Sequence, residues 1–261
     1  MARVSVVPRE RAMAAKLPSG ITGDAATAAY LAGPGKPLHL FIHDFGSGTT
    51  LDIGPRSADC LAYVWTGEIE ADARSLAAGS SLVVERGASL RLTGTKPGTQ
   101  VLTFTAADSQ IPSRDGGQVH LLPVDRVLRV SPMGPGINGA MHFDSACPTC
   151  EVWLHESEFT PAFLTPENES RSAHSHTEDE IIFVTEGQMR LGNQLYGPGT
   201  ALSIAAHTMY TFNPGPEGVT FINFRAAMPE EIIRADGQRS SEAAGWRRQL
   251  GGERPDYLAL A

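Results

Sequence analysis

The chain lacks any apolar run of the roughly 18 residues needed to cross a bilayer. Its start, Met1 to Leu17, carries basic residues but no apolar core of signal-peptide length. A cytoplasmic protein with an extended amino-terminal arm is therefore expected. Positive charge is scarce: 21 Lys and Arg stand against 29 Asp and Glu, for a formal net charge of −8. That balance argues against nucleic-acid binding, which runs on excess Lys and Arg, and no helix-turn-helix is evident. Cysteine is scarcer still, and three residues give no disulfide framework. Cys147-Pro-Thr-Cys150 reads as a redox pair, as half of a zinc site, or as two ordinary cysteines in a loop before a strand. No second CxxC completes a four-thiolate set.

Glycine and proline are plentiful, at 27 and 18 of 261 residues. They suit many short strands joined by tight turns, in a chain long enough for one large domain or two ordinary ones. Comparison of the chain with itself supports two. Residues 184–212 repeat the pattern of residues 64–92 at a constant offset of 120, without a gap. Val64 matches Val184, Gly67 matches Gly187, Gly79 matches Gly199, Leu82 matches Leu202 and Val84 matches Ile204. Alternation in Glu180-Ile-Ile-Phe-Val184 and in Ala201-Leu-Ser-Ile204 marks strands, with Pro198-Gly199 as a turn between them. The expectation is an all-β chain of two barrels. It divides into an arm at 1–37, a first barrel at 38–107, a linker with bridging strands at 108–148, a second barrel at 149–228, and a helical tail at 229–261. The tail reads as two short helical pieces ending near Gly251.

One stretch carries chemistry, HSHTEDEIIFVTEG at 174–187. His174 and His176 are two apart and so share one face of a strand. Glu180 follows at the start of the next strand, and Gly187 closes it. Two imidazoles and a carboxylate suit iron, manganese, nickel, copper or zinc. With open positions they are also the donor set of non-haem Fe(II) oxygenases.

This stretch resembles the first motif of the cupin superfamily: HxH, three residues, Glu, six residues, Gly. His174, His176, Glu180 and Gly187 match every spacing. Pro198-Gly199 and the strand after it are similar to the second motif. The resemblance implies two cupin barrels of the double-stranded β-helix or jelly-roll kind in one chain, a bicupin. It also implies one divalent transition metal, iron first among the candidates, held only in the C-terminal barrel. Where the family usually carries a third histidine, this chain has Tyr210, and His207 comes three residues early. On a strand these two would face opposite ways. Tyr210 is expected inward, as fourth ligand or as a catalytic hydrogen-bond donor, and His207 is the alternative ligand. In the first barrel, the positions matching His174, His176, Glu180 and Tyr210 are Gly54, Arg56, Cys60 and Leu90, which cannot build that site.

Trp153 and Phe163, expected on strands before the motif, and Arg190, Asn223 and Arg225 after it are candidate substrate-binding residues. An arginine facing inward would imply an anionic substrate. Three functions follow. The first is a metal-dependent dioxygenase for a small organic molecule. The second is a non-redox hydrolase, lyase or isomerase, whose layout resembles the ureidoglycine aminohydrolase type although that type orders its ligands differently. The third is a non-catalytic ligand-binding cupin. The partner is a small molecule, with no nucleic acid and no membrane, and homodimerisation stays open.

Overall fold

The computed structural model describes residues 3–166, 168 and 173–260. Met1, Ala2 and Ala261, the ends of the expected arm and tail, lie outside them. No helix among the described residues is long and apolar enough to cross a membrane. The chain forms two compact units. The N-unit comprises Ala12–Val127, Ser145–Val152 and Pro255–Ala261; the C-unit comprises Met1–Arg11, Leu128–Asp144 and Trp153–Arg254. Each unit thus takes a strand from the far end of the chain. Val4–Val7 pairs with Ala201–Ile204 in the C-unit, and Leu258–Leu260 pairs with Val119–Leu122 in the N-unit.

Both units are antiparallel. The N-unit has an eight-stranded and a five-stranded sheet, and the C-unit an eight-stranded and a three-stranded one. The N-unit core draws on both sheets: Leu51, Ile53, Ile69 and Leu92 from the smaller, Ala62, Val64, Leu82 and Val101 from the larger. Two apolar sheet faces closed on each other are the jelly-roll solution for short strands patterned at period two.

The offset of 120 holds to single hydrogen bonds. Cys60 pairs with Val84 in the N-unit, and Glu180 pairs with Ile204 in the C-unit. Gly79 N–H donates to Val64 O at 2.8 Å, and Gly199 N–H donates to Val184 O at 2.8 Å. Asp59 Oδ1 accepts from Arg86 N–H at 2.9 Å, and Asp179 Oδ1 accepts from Ala206 N–H at 3.0 Å. Gly67 and Gly187 both adopt left-handed backbone, at φ 74° and 65°. A Cβ on Gly187 would lie 2.4 Å from Gly218 O, so glycine is required there twice over.

Three local expectations are corrected. The first helical piece of the tail is the strand Glu231–Arg234, which pairs with Arg239–Ser241 and with His174–His176. Its Ile232 and Ile233 are β-branched, and Gly237, at φ 84°, turns the hairpin. The second piece is a true helix, Glu242–Gln249, capped by Ser241 Oγ, which accepts from Ala244 N–H at 3.2 Å. Phe163 sits on the 3-10 turn Pro161–Phe163 and not on a strand, because Pro161 fixes the first φ of that turn. The segment carrying His207 is not a strand either: it turns after Ile204, with Thr208 N–H donating to Ala205 O at 3.2 Å.

Candidate metal centre

Strand parity sets the site. Ile182 and Val184 belong to the C-unit core, so Glu180, on the same face of Glu180–Leu191, points inward as well. Phe221 is in that core, which puts Asn223 and Arg225 on the inner face of Asn213–Arg225. Trp153 and His155 lie directly opposite Arg225 and Asn223 and share that face. Across the other sheet, His174–His176 carries both histidines, and a single bridge joins His174 to Tyr210.

The resulting cluster is buried and charged. Glu180, 1% exposed, accepts at Oε2 from Asn223 Nδ2 at 2.7 Å and from Arg225 Nη2 at 2.8 Å. Arg225, 0% exposed, also places Nη1 2.8 Å from Glu242 Oε2. Glu242 enters from the first turn of the C-terminal helix, and its Oε2 lies 2.9 Å from His176 Nδ1. The far nitrogen of that ring, Nε2, is 3.9 Å from Glu180 Oε2. His174 and His176 are perpendicular at 5.0 Å between centroids, and Tyr210 lies 4.7 Å from His174.

Burial opposes the charge on Glu180 and on Glu242, but Arg225 beside them outweighs it. Both carboxyls are held below the usual range. Burial and the Glu180 charge push the Tyr210 phenol well up, so it stays protonated and its hydroxyl donates to Glu180. Behind the cluster, Trp153 Nε1–H donates to His155 Nδ1 at 2.9 Å, and Trp246 packs 4.8 Å from the same ring. Burial lowers His155 to about 4.

The donor types are those that divalent metals take. Glu180 Oε1 is buried and makes no well-formed hydrogen bond, while Oε2 is fully used. His176 Nδ1 lies at ion-pair distance from Glu242 without a well-formed hydrogen bond, and a carboxylate beside one imidazole nitrogen is an arrangement that leaves the other available to a metal. Two carboxylates, Glu180 and Glu242, share the one guanidinium of Arg225.

A cavity of about 570 Å³ adjoins this centre, with His174, Phe159, Phe163, Phe212, Arg234 and Asp236 on its wall. Of the expected substrate-binding residues, Phe163 lines this cavity. Asn223 and Arg225 are held on Glu180, Trp153 is buried against His155, and Arg190 is half-buried further along the strand, opposite Asn213. His207 is exposed at φ 58° and meets His176 only through its backbone N–H, which donates to His176 O at 2.7 Å. In the N-unit, the Arg56 guanidinium donates to Ser19 O, and Cys60 is a buried free thiol raised to about 11 by burial.

Glu242 is the residue that sequence reasoning missed. A glutamate in the first turn of a helix is ordinarily a surface residue favoured by the helix dipole, and nothing local marks it as a partner of His176.

No family model matches the chain, and no curated protein matches it in sequence. Solved structures do match in fold. Protein Ylba from E. coli superimposes with a TM-score of 0.65 at 13% identity, over 85% of this chain and 90% of that one. Lactobacillus farciminis oxalate decarboxylase, in a formate complex, gives 0.63 at 10% identity, over 91% and 88%. A cupin 2 conserved barrel domain protein from Leptotrichia buccalis gives 0.51 at 9% identity, over 85% and 96%. The fold is that of a bicupin. In this chain the HxH motif and its glutamate lie in the C-unit, and the equivalent N-unit positions, Gly54, Arg56, Cys60 and Leu90, carry no imidazole or carboxylate.

Proposed function

We propose that the C-unit is the active site of a metal-dependent enzyme acting on a small organic acid. His174, His176 and Glu180 are its metal ligands. The observation that supports this reading most is the position of His174, which belongs to the motif and also lines the adjoining cavity. A ligand on the cavity wall lets one metal meet the protein on one side and substrate on the other. Iron or manganese comes first among the metals; Bacillus subtilis oxalate decarboxylase, a protein of this fold, has Mn(II) centres. When bound, the metal supplies Lewis acidity and open positions for substrate, and in the case of iron for O₂ as well.

The chain's own residues do the rest. Glu242 turns His176 Nε2 towards Glu180, and Asn223 with Arg225 turns Glu180 Oε1 to the metal side. Tyr210 holds a proton beside Glu180 and can deliver it to substrate. Phe159, Phe163 and Phe212 keep that wall apolar and exclude water, while Arg234 offers a cation to a carboxylate.

Two chemistries fit. The donor set of two histidines and one carboxylate favours a dioxygenase. The oxalate decarboxylase among the structural neighbours favours a lyase acting on a small carboxylic acid without net oxygen use. Oxygen uptake, measured with iron- and manganese-loaded protein across small carboxylic acids, separates them. Substrate-dependent uptake supports the first, and turnover without uptake supports the second. Metal content and turnover that survive His176→Ala would overturn both.

A further inference from the structure

A second group of chemistry-bearing side chains lies in the N-unit. Glu85, His120, Cys147 and Cys150 place one ligand atom each within 4.8 Å of one another, and all four are buried. Glu85 follows the strand Ser81–Val84, and His120 sits on its neighbour Val119–Leu122, where Val83 pairs with His120. The cysteines come from Ser145–Val152, the segment that returns to the N-unit after the chain has built two strands of the C-unit within Leu128–Asp144 and before it leaves again at Trp153. None of the four matches a ligand position of the motif at 174–187 under the 120 offset.

We propose that these four residues form a structural zinc site, independent of the centre in the C-unit. Two thiolates, an imidazole and a carboxylate are four zinc donors, enough to close a tetrahedral site with no position left for substrate. Zinc bonds of about 2.0–2.3 Å put neighbouring ligand atoms of a tetrahedron roughly 3.3–3.8 Å apart. Cys147 Sγ is 3.5 Å from His120 Nε2 and 3.7 Å from Glu85 Oε1. His120 Nε2 and Glu85 Oε1, at 2.7 Å, share a hydrogen bond that a common cation would open by about 0.7 Å.

Surrounding groups hold the donors as a metal site requires. Cys150 N–H donates to Cys147 Sγ at 3.4 Å. Thr149 Oγ1–H donates to Glu85 Oε1 at 2.6 Å, and Gln118 N–H donates to Glu85 Oε2 at 2.9 Å. Arg114 donates to Cys147 O at 3.1 Å and to Ser145 O at 3.2 Å, fixing the segment from outside. The competing role for a CxxC is redox exchange, which needs an accessible attacking sulfur. Cys147 is 6% exposed and Cys150 0%, which favours the metal. Binding releases the thiol protons to solvent and ties the returning segment to both strands.

The test is zinc content of the full-length protein after reconstitution with zinc alone, beside the cobalt(II) spectrum of the same protein. Wild type and His176→Ala should each hold this zinc, and cobalt should give thiolate-to-metal charge-transfer absorption in both. The Cys147→Ser/Cys150→Ser double variant should lose both signals, and Cys60→Ser should keep them. Alkylation of native wild type supplies a readout free of misfolded variants: both CxxC thiols should resist labelling until a chelator removes the zinc. Equal zinc in wild type and the double variant would overturn the proposal. So would native protein that takes up no zinc and carries a Cys147–Cys150 disulfide.

Discussion

Glu242 sets its Oε2 2.9 Å from Nδ1 of His176. The C-terminal helix, which follows the last strand of the sheet that carries His174–His176, thus reaches the second histidine of the motif. Outer partners of this kind typically account for a 10–100-fold change in metal affinity. Glu242→Gln keeps the shape and removes the charge. It should weaken metal binding by about that factor in a chelator competition, with the circular dichroism spectrum unchanged. Undiminished affinity would show that Glu242 does not orient the ligand.

Arg225 is the only positive charge described between Glu180 and Glu242, and it pairs with both. Removing it leaves two buried carboxylates facing each other. Arg225→Met should lower the unfolding free energy by about 3–5 kcal/mol, the usual cost of breaking a buried pair. Manganese should restore part of that loss, because the cation returns positive charge to the same carboxylates. Urea denaturation with and without the metal reads both effects, and a variant as stable as wild type would contradict this role.

Tyr210 and His207 are separated by their geometry. The Tyr210 hydroxyl reaches Glu180, whereas the His207 side chain is exposed. Tyr210→Phe should therefore keep its metal content within about twofold and lose turnover by about 10²-fold or more, the range for one positioned proton donor. His207→Ala should change neither. Loss of the metal in the Tyr210 variant would make the phenol a ligand.

His43 gives a pH dependence away from both proposed metal sites. Its ring is fixed between Thr27 Oγ1 and Thr103 Oγ1, each at 2.8 Å, and burial lowers it to about 4, against a small upward push from Asp44. Above about pH 6.5 the ring is neutral in both the folded and unfolded chain. As pH falls, the unfolded chain takes up a proton that the folded one refuses. Stability contributed by the neutral ring is therefore full above about 6.5 and is lost as pH falls through about 4, by up to about 3 kcal/mol. His43→Gln should flatten the stability profile by one proton across that window in denaturant titrations at stepped pH. An unchanged slope would place the proton elsewhere.

Much of the fold was legible in the sequence because its signals are local. Gly67 with Gly187 and Gly79 with Gly199 mark turns that only glycine adopts cheaply, and the 120 offset between them holds down to equivalent hydrogen bonds. The motif histidines and Glu180 were legible for the same reason, being packed into seven residues. The partners of those residues were not. Arg225 was read as a group for substrate, and its pairing with Glu180 follows from strand register, which no spacing reveals. Glu242 and the hairpin at Glu231–Arg234 arrive from a tail whose polar sequence reads as helix until Ile232 and Ile233 find a sheet to join. Glu85 and His120 carry no motif at all, and only the fold brings them to the CxxC.

The central claim, that a metal sits between the motif histidines and Glu180, is tested most directly by anomalous scattering from crystals grown with manganese. The account predicts a peak within bonding distance of His176 Nε2 and Glu180 Oε1, with Arg225 still on Oε2, and its absence in His176→Ala crystals. A manganese-soaked wild-type crystal with no peak there, and with Glu180 held by Arg225 and Asn223 alone, would contradict it.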